Sequence, residues 1–186
     1  MARTEPSSTL VNAMSARTDT FDLAPLHLRA GEARTIDLEV PLDHFELSNE
    51  RYDVRPAPIP VRLDATRMTG GGWSLRLRLT ASLNGPCMRC LEPASPEFEV
   101  DAREIDQPGD GPELDSPYVD GEVLDVSGWT RDALALALPA NILCTPDCLG
   151  LCPECGVNLN AAGPEHHHDK GPDPRWAALS QIKFEE

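Results

Sequence analysis

Val61, Leu63 and Ala65 alternate with Arg62, Asp64 and Thr66. After Gly70-Gly71-Gly72 the alternation resumes, with Trp73, Leu75, Leu77, Leu79, Ala81 and Leu83 set against Ser74, Arg76, Arg78, Thr80 and Ser82. A period of two on both arms predicts an antiparallel hairpin with one face buried and the other wet. Phe98, Val100 and Ala102, alternating with Glu99, Asp101 and Arg103, predict a third strand that returns from a turn holding Cys87 and Cys90. Upstream, Ile36, Leu38 and Val40 alternate well, and Phe21, Leu23, Leu26 and Leu28 less regularly, with Gly31 as a turn between them. Residues 21–42 are therefore expected to supply one or two more strands.

Further along, the period changes. Trp129, Ala133, Leu136 and Ala137 fall at i, i+4, i+7 and i+8; with Ser127 as the cap and Pro139 as the stop, they predict a helix over 127–138. A second helix is predicted near the end, where Asp173 caps, Pro174 takes the first helical position, and Trp176, Leu179 and Ile182 form one stripe. The chain thus divides into three parts. Residues 1–20 are polar, without hydrophobic period, and read as a disordered tail. Residues 21–143 form an antiparallel β domain with an acidic loop at 104–122 and the helix at 127–138. Residues 144–186 form a zinc-knuckle segment with the C-terminal helix. The fold class is α+β: an antiparallel sheet, partly closed toward a barrel-like form, with one or two short helices.

Composition narrows the function. With 186 residues and 40% apolar content the chain holds one real core, and 5% aromatic content makes that core mostly aliphatic. A formal charge of -15 disfavours sequence-independent binding to a phosphate backbone and favours basic partners. Between Glu104 and Thr130 eight acidic residues occur and no Lys or Arg. On the wet face Arg62, Arg76 and Arg78 make either a local basic patch, joined by Arg89 in the turn, or a solvated face on which they pair with Asp64, Glu99 and Asp101. The acidic neighbours favour solvation. His27 and His44 read as ordinary strand or loop residues. No apolar run approaches the roughly 20 residues of a membrane span.

The chemistry lies in the six cysteines, all in two places: Cys87-Met-Arg-Cys90, and Cys144 to Cys155, read CTPDCLGLCPEC. A C-x-x-C step puts two thiolates on one tight turn, at the spacing of zinc ligands. Disulfides need an oxidising compartment, and residues 1–14 carry no apolar h-region, so export is not expected. Two of the three histidines His166, His167 and His168 bring the set to eight donors, enough for two zinc ions. The favoured grouping joins Cys87, Cys90, Cys144 and Cys148, and pairs Cys152 and Cys155 with His166 and His168, leaving His167 spare. A rival grouping uses Cys144, Cys148, Cys152 and Cys155 for one ion and leaves the upstream pair free. No H-E-x-x-H and no deaminase signature occurs, and both ions reach four protein ligands, so no enzyme activity is expected.

GPCMRCLEP, LDVSGWTRDALALALP, CTPDCLGLCPECGVNLN and DPRWAAL stand in this order along the chain. Together they resemble the YceD family, the large ribosomal RNA subunit accumulation proteins. The resemblance implies a bacterial cytoplasmic protein needed for accumulation or processing of 23S rRNA. The acidity favours a basic ribosomal protein as its direct contact, and the Arg face keeps large-subunit pre-rRNA as the other expected partner. Some relatives keep the upstream pair and the positions of Cys144 and Cys148 but lack the rest, which implies a separable first site. Many others read C-x-C where this chain reads His166-His167-His168, which implies a ligand role for the outer two histidines. The other class left open is a zinc-stabilised acidic adaptor of another nucleic-acid machine, such as RNA polymerase or a nuclease.

Overall fold

The computed structural model describes residues 19–109, 111, 114–163 and 165–168. Nearly all of the tail predicted over 1–20, and the helix predicted from Asp173, lie outside the described residues.

A 14-residue strand, β6 (Trp73–Pro86), is the spine of the fold. Its odd positions from Trp73 to Leu83 are buried, as the alternation requires. On one side β6 pairs in succession with β5 (Ile59–Arg67) and β4 (Glu50–Arg55), through Val61↔Leu79 and Val54↔Leu83. On its other side lies β8 (Glu97–Asp106), from Trp73↔Asp106 to Ser82↔Glu97. The same register continues into β7 (Pro93–Ala94), with Gly85↔Ala94 and Pro86↔Pro93. Residues 87–92 are thus the loop of one long hairpin. Outside β5 lies β2 (Ala33–Val40), and outside β4 lies β3 (Phe45–Leu47). The order β2-β5-β6-β4-β3, with β8 on the far side of β6, is entirely antiparallel.

The β3–β4 hairpin is an element that the alternation did not predict. Ser48 and Asn49 form its two-residue loop, both with positive φ (53° and 66°), the conformation that suits the twist of a tight hairpin. Its apolar positions, Phe45 and Leu47 on one arm and Tyr52 and Val54 on the other, are too few on strands of three and six residues to register as a period.

The sheet is open, which corrects the expectation of a partly closed, barrel-like one. Helix α1 (Val126–Ala137) packs against both β8 and β2, so side-chain packing bridges strands that do not pair. The helix differs from its predicted register. Asp125 is the cap, its carboxylate accepting from the Gly128 N–H at 2.9 Å, while the hydroxyl of Ser127 donates to the Pro41 carbonyl. The buried stripe is Val126, Trp129, Thr130, Ala133 and Leu134, and Leu136 is 88% exposed. Starting the helix earlier recruits Val126, and the stripe it begins passes through Leu134 rather than Leu136. Asp125→Ala leaves that N–H without its partner and is expected to cost about 1 kcal/mol, read as a lower denaturation midpoint with an unchanged slope.

A small sheet of β1 (Phe21–Asp22), β9 (Val119–Asp120) and β10 (Val123–Leu124) closes one end. Glu122, in the turn between β9 and β10, accepts two bonds from Arg67 Nη1 (3.0 and 3.1 Å) and one from Trp73 Nε1 (3.1 Å). One carboxylate of the acidic segment is thereby tied to the start of the spine. On the wet face Arg76 Nε donates to Asp101 at 2.7 Å and Arg78 pairs with Asp64. Those two arginines are occupied by the acidic neighbours.

Candidate metal centres

The first group forms where the β6–β7 loop meets the segment after α1. The Cys87 N–H donates to the Glu92 carbonyl (2.7 Å) and the Leu91 N–H to the Cys87 carbonyl (3.0 Å), with Leu91 in the left-handed region at φ 63°. This curls Cys87 and Cys90 back on each other. The Met88 N–H donates to the Ile142 carbonyl (2.9 Å), and Arg89 Nη1 to the Cys148 carbonyl (2.9 Å), so the loop itself holds the downstream segment. Arg89, which the less favoured of the two sequence readings joined to a basic patch, serves this local bond.

The second C-x-x-C turn repeats the first. The Cys152 N–H donates to the Val157 carbonyl and the Gly156 N–H to the Cys152 carbonyl, both at 2.8 Å, with Gly156 at φ 73°. Here a glycine occupies the left-handed position that Leu91 holds in the first turn.

The structure brings together Cys87, Cys90, Cys144 and Cys148 as one group, and Cys152, Cys155, His166 and His168 as another. Within each group every ligand atom lies within 4.8 Å of the others. Cys87 Sγ is 3.7 Å from Cys148 Sγ, and Cys90 Sγ is 3.5 Å from Cys144 Sγ. In the second group Cys152 Sγ is 3.4 Å from His168 Nε2, Cys155 Sγ is 3.5 Å from His166 Nε2, and the two Nε2 atoms are 3.1 Å apart. All six thiols are free. A disulfide would place its sulfurs about 2.05 Å apart. A zinc ion with Zn–S bonds of about 2.3 Å and Zn–N bonds of about 2.05 Å has tetrahedral edges of about 3.8 Å between sulfurs, 3.6 Å between sulfur and nitrogen and 3.3 Å between nitrogens. The five separations given above lie within about 0.3 Å of those edges. His167 turns away, its Nδ1 lying 2.8 Å from the Glu165 carbonyl oxygen.

Electrostatics argue in the same direction. Burial pushes the Cys87 thiol up, but the backbone N–H groups of Cys90, Arg89 and Cys144 outweigh it and hold that thiol at about 6. Against the lowering effect of the Glu92 N–H, burial and the crowded thiols of Cys144, Cys148 and Cys87 push Cys90 up to about 12. The side-chain amide of Asn160 is the leading cause that draws Cys148 down. In the second group the Cys155 N–H, then the His166 ring, hold Cys152 at about 6. Sulfurs this close resist joint ionisation, and a dication between them removes the conflict.

The two groups differ in exposure. Cys87, Cys90 and Cys148 are buried and Cys144 is half-buried, whereas Cys155 and His168 are exposed. Three residues around the groups were not singled out in the sequence as supporting them. Asn160 Nδ2 lies 3.4 Å from Cys148 Sγ, Glu154 Oε2 lies 3.5 Å from His168 Nδ1, and the Met88 sulfur accepts from the Ile142 N–H at 3.3 Å. Only the side-chain type of Asn160, within GVNLN, hinted at such a role.

Fold and donor sets define an α+β protein with an open antiparallel sheet and two four-donor groups able to hold metal ions. The chain belongs to the YceD family, described as the large ribosomal RNA subunit accumulation protein YceD, which matches residues 75–183. An uncharacterized protein of Mycobacterium tuberculosis is 38% identical over 104 residues, covering 53% of this chain and 49% of that protein, so the chain spans about half the length of this relative. An uncharacterized protein of Mycobacterium leprae is 32% identical over 174 residues, covering 87% of this chain and 76% of its own length. The large ribosomal RNA subunit accumulation protein YCED homolog 1, chloroplastic, of Zea mays is 30% identical over 141 residues, covering 55% and 46%. No solved structure matches the chain. Among the described residues no helix is long and apolar enough to cross a membrane.

Proposed function

We propose that this protein is a cytoplasmic ribosome-biogenesis factor that supports accumulation or processing of 23S rRNA, with two structural zinc ions and no catalytic role. The observation that carries the reading is the coincidence of family membership with two groups of four donors whose ligand atoms all lie within 4.8 Å of one another. Cys87, Cys90, Cys144 and Cys148 would hold one ion, and Cys152, Cys155, His166 and His168 the other. Zinc, when bound, supplies the positive charge that lets the thiolates stand together. The chain's own part is to fix a loop of the sheet to the segment that follows α1. Each set offers four donors, which leaves no open position of the kind catalysis needs.

The direct contact is a basic ribosomal protein rather than bare RNA. The net charge of -15 and the engagement of Arg76 and Arg78 by Asp101 and Asp64 favour it. The same two observations favour, as a second reading, a zinc-stabilised acidic adaptor for another nucleic-acid machine. Elemental analysis of the native protein is expected to find two zinc ions per chain, with all six thiols free after the metal is removed. Zinc below one equivalent overturns the structural role. Binding to a purified basic large-subunit protein that exceeds binding to 23S fragments at matched salt supports the protein contact, and the reverse order overturns it.

A further inference from the structure

The first metal group borrows part of its surroundings from the second. Between Cys155 and His166 the chain forms a short helix, α2 (Leu159–Ala162), which lies within the loop that the second group closes. Asn160, on that helix, faces the first group instead. Its Nδ2 donates to Cys148 Sγ at 3.4 Å and to Asn158 Oδ1 at 2.9 Å, and its Oδ1 accepts from the Leu149 N–H at 2.8 Å. Those bonds use both ends of the amide and fix its orientation, because a flipped amide would turn N–H toward the Leu149 N–H. The Leu159 N–H also donates to the Gly150 carbonyl at 2.9 Å, seating the helix on the chain just past Cys148.

We propose that Asn160 is a positioning residue that couples the two centres: the loop closed by the second ion holds a donor on a thiolate of the first. An N–H aimed at a coordinated sulfur takes up part of its charge and restrains its position, so the metal bond breaks less readily. The coupling in affinity is reciprocal, as linkage requires, while the contact itself is made at a sulfur of the first centre. Emptying the second centre releases the loop and with it the donor, so the first centre loses its ion faster. Emptying the first frees the sulfur that the donor holds, and the affinity of the Cys152, Cys155, His166 and His168 set falls by the same factor. The inference rests on the reading that both groups bind zinc.

The test uses the full-length, zinc-loaded protein and follows zinc release to a chromogenic chelator, with cobalt substitution to tell the centres apart by the stronger thiolate-to-cobalt charge-transfer band of the four-sulfur site. Asn160→Asp keeps the acceptor for Leu149 but turns a charged oxygen toward Cys148 in place of the donor; Asn160→Ala removes both donor and acceptor without adding charge. Both variants are expected to bind two equivalents, with first-centre release faster by about 10-fold, within the range known for lost outer-shell partners, and the first-centre cobalt band shifted. Cys152→Ser is expected to produce a similar acceleration, and adding Asn160→Ala to it little more. First-centre release unchanged by Asn160→Ala overturns the proposal, as does an Asn160→Ala effect of equal size with the second centre absent. Failure of the parent protein to bind two equivalents defeats the reading that both groups bind zinc, and is told apart by the stoichiometry before any variant is made.

Discussion

Cys87→Ser is expected to remove one zinc equivalent and to lower the melting temperature sharply, whereas Cys152→Ser removes the other equivalent with a smaller loss. Cys87 is fully buried at the head of the β6–β7 loop, and its group joins that loop to Cys144 and Cys148, more than 50 residues further on. Without it three sulfurs remain crowded around a lost ion. Structural zinc in small domains has an apparent binding free energy of about 10–16 kcal/mol, comparable to the about 5–15 kcal/mol stability of an entire domain. Even a partial loss therefore registers. Cys152 serves a group with exposed members, and its four donors all come from residues 152–168, so the group joins no strand of the sheet to another part of the chain. Zinc content and circular-dichroism melts of the two variants, with chelator-treated parent as reference, give the comparison. Equal melting of both, or two ions retained by either, contradicts the assignment.

Gly85→Ala is expected to destabilise the protein by about 1–3 kcal/mol, the usual range for forcing extra atoms into a packed core. A Cβ at residue 85 would stand 2.4 Å from Tyr52 Cδ1 and 2.8 Å from its Cε1. The ring has nowhere to retreat, since Tyr52 is 1% exposed and its hydroxyl donates to the Pro86 carbonyl at 2.8 Å. The absence of a side chain at residue 85 thus lets the ring lie flat under the approach to Cys87. Combining Gly85→Ala with Tyr52→Leu, which clears the ring edge, is expected to cost less than the two changes summed. Strict additivity in denaturant melts overturns the steric explanation.

Some of this was legible in the chain and some was not, for reasons that particular residues make plain. The β5, β6 and β8 strands each carry an apolar side chain at every second position over most of their length, and that period is enough to define a half-buried strand. The β3–β4 hairpin has too few such positions, and its signal is the left-handed pair Ser48 and Asn49, whose φ values are visible only in three dimensions. The helix after Leu124 was legible as a helix. Its face was not: the residues at 134 and 136 are both leucine, and only the start at Val126 and the cap at Asp125 settle which one faces the sheet.

By itself, then, the sequence determines that this protein has an antiparallel sheet with one wet face, an acidic surface and thiols arranged in pairs. Each of these is written in neighbouring residues: a side-chain period of two, a run of carboxylates without cations, a C-x-x-C turn. Only the tertiary structure decided that the sheet stays open with a helix across its outer strands, and that Cys144 and Cys148 stand with Cys87 and Cys90 rather than with Cys152 and Cys155. It also decided that Asn160 reaches the sulfur of Cys148. Such pairings depend on where the backbone turns carry residues tens of positions apart, and local spacing holds no information about a distance that the whole fold must close.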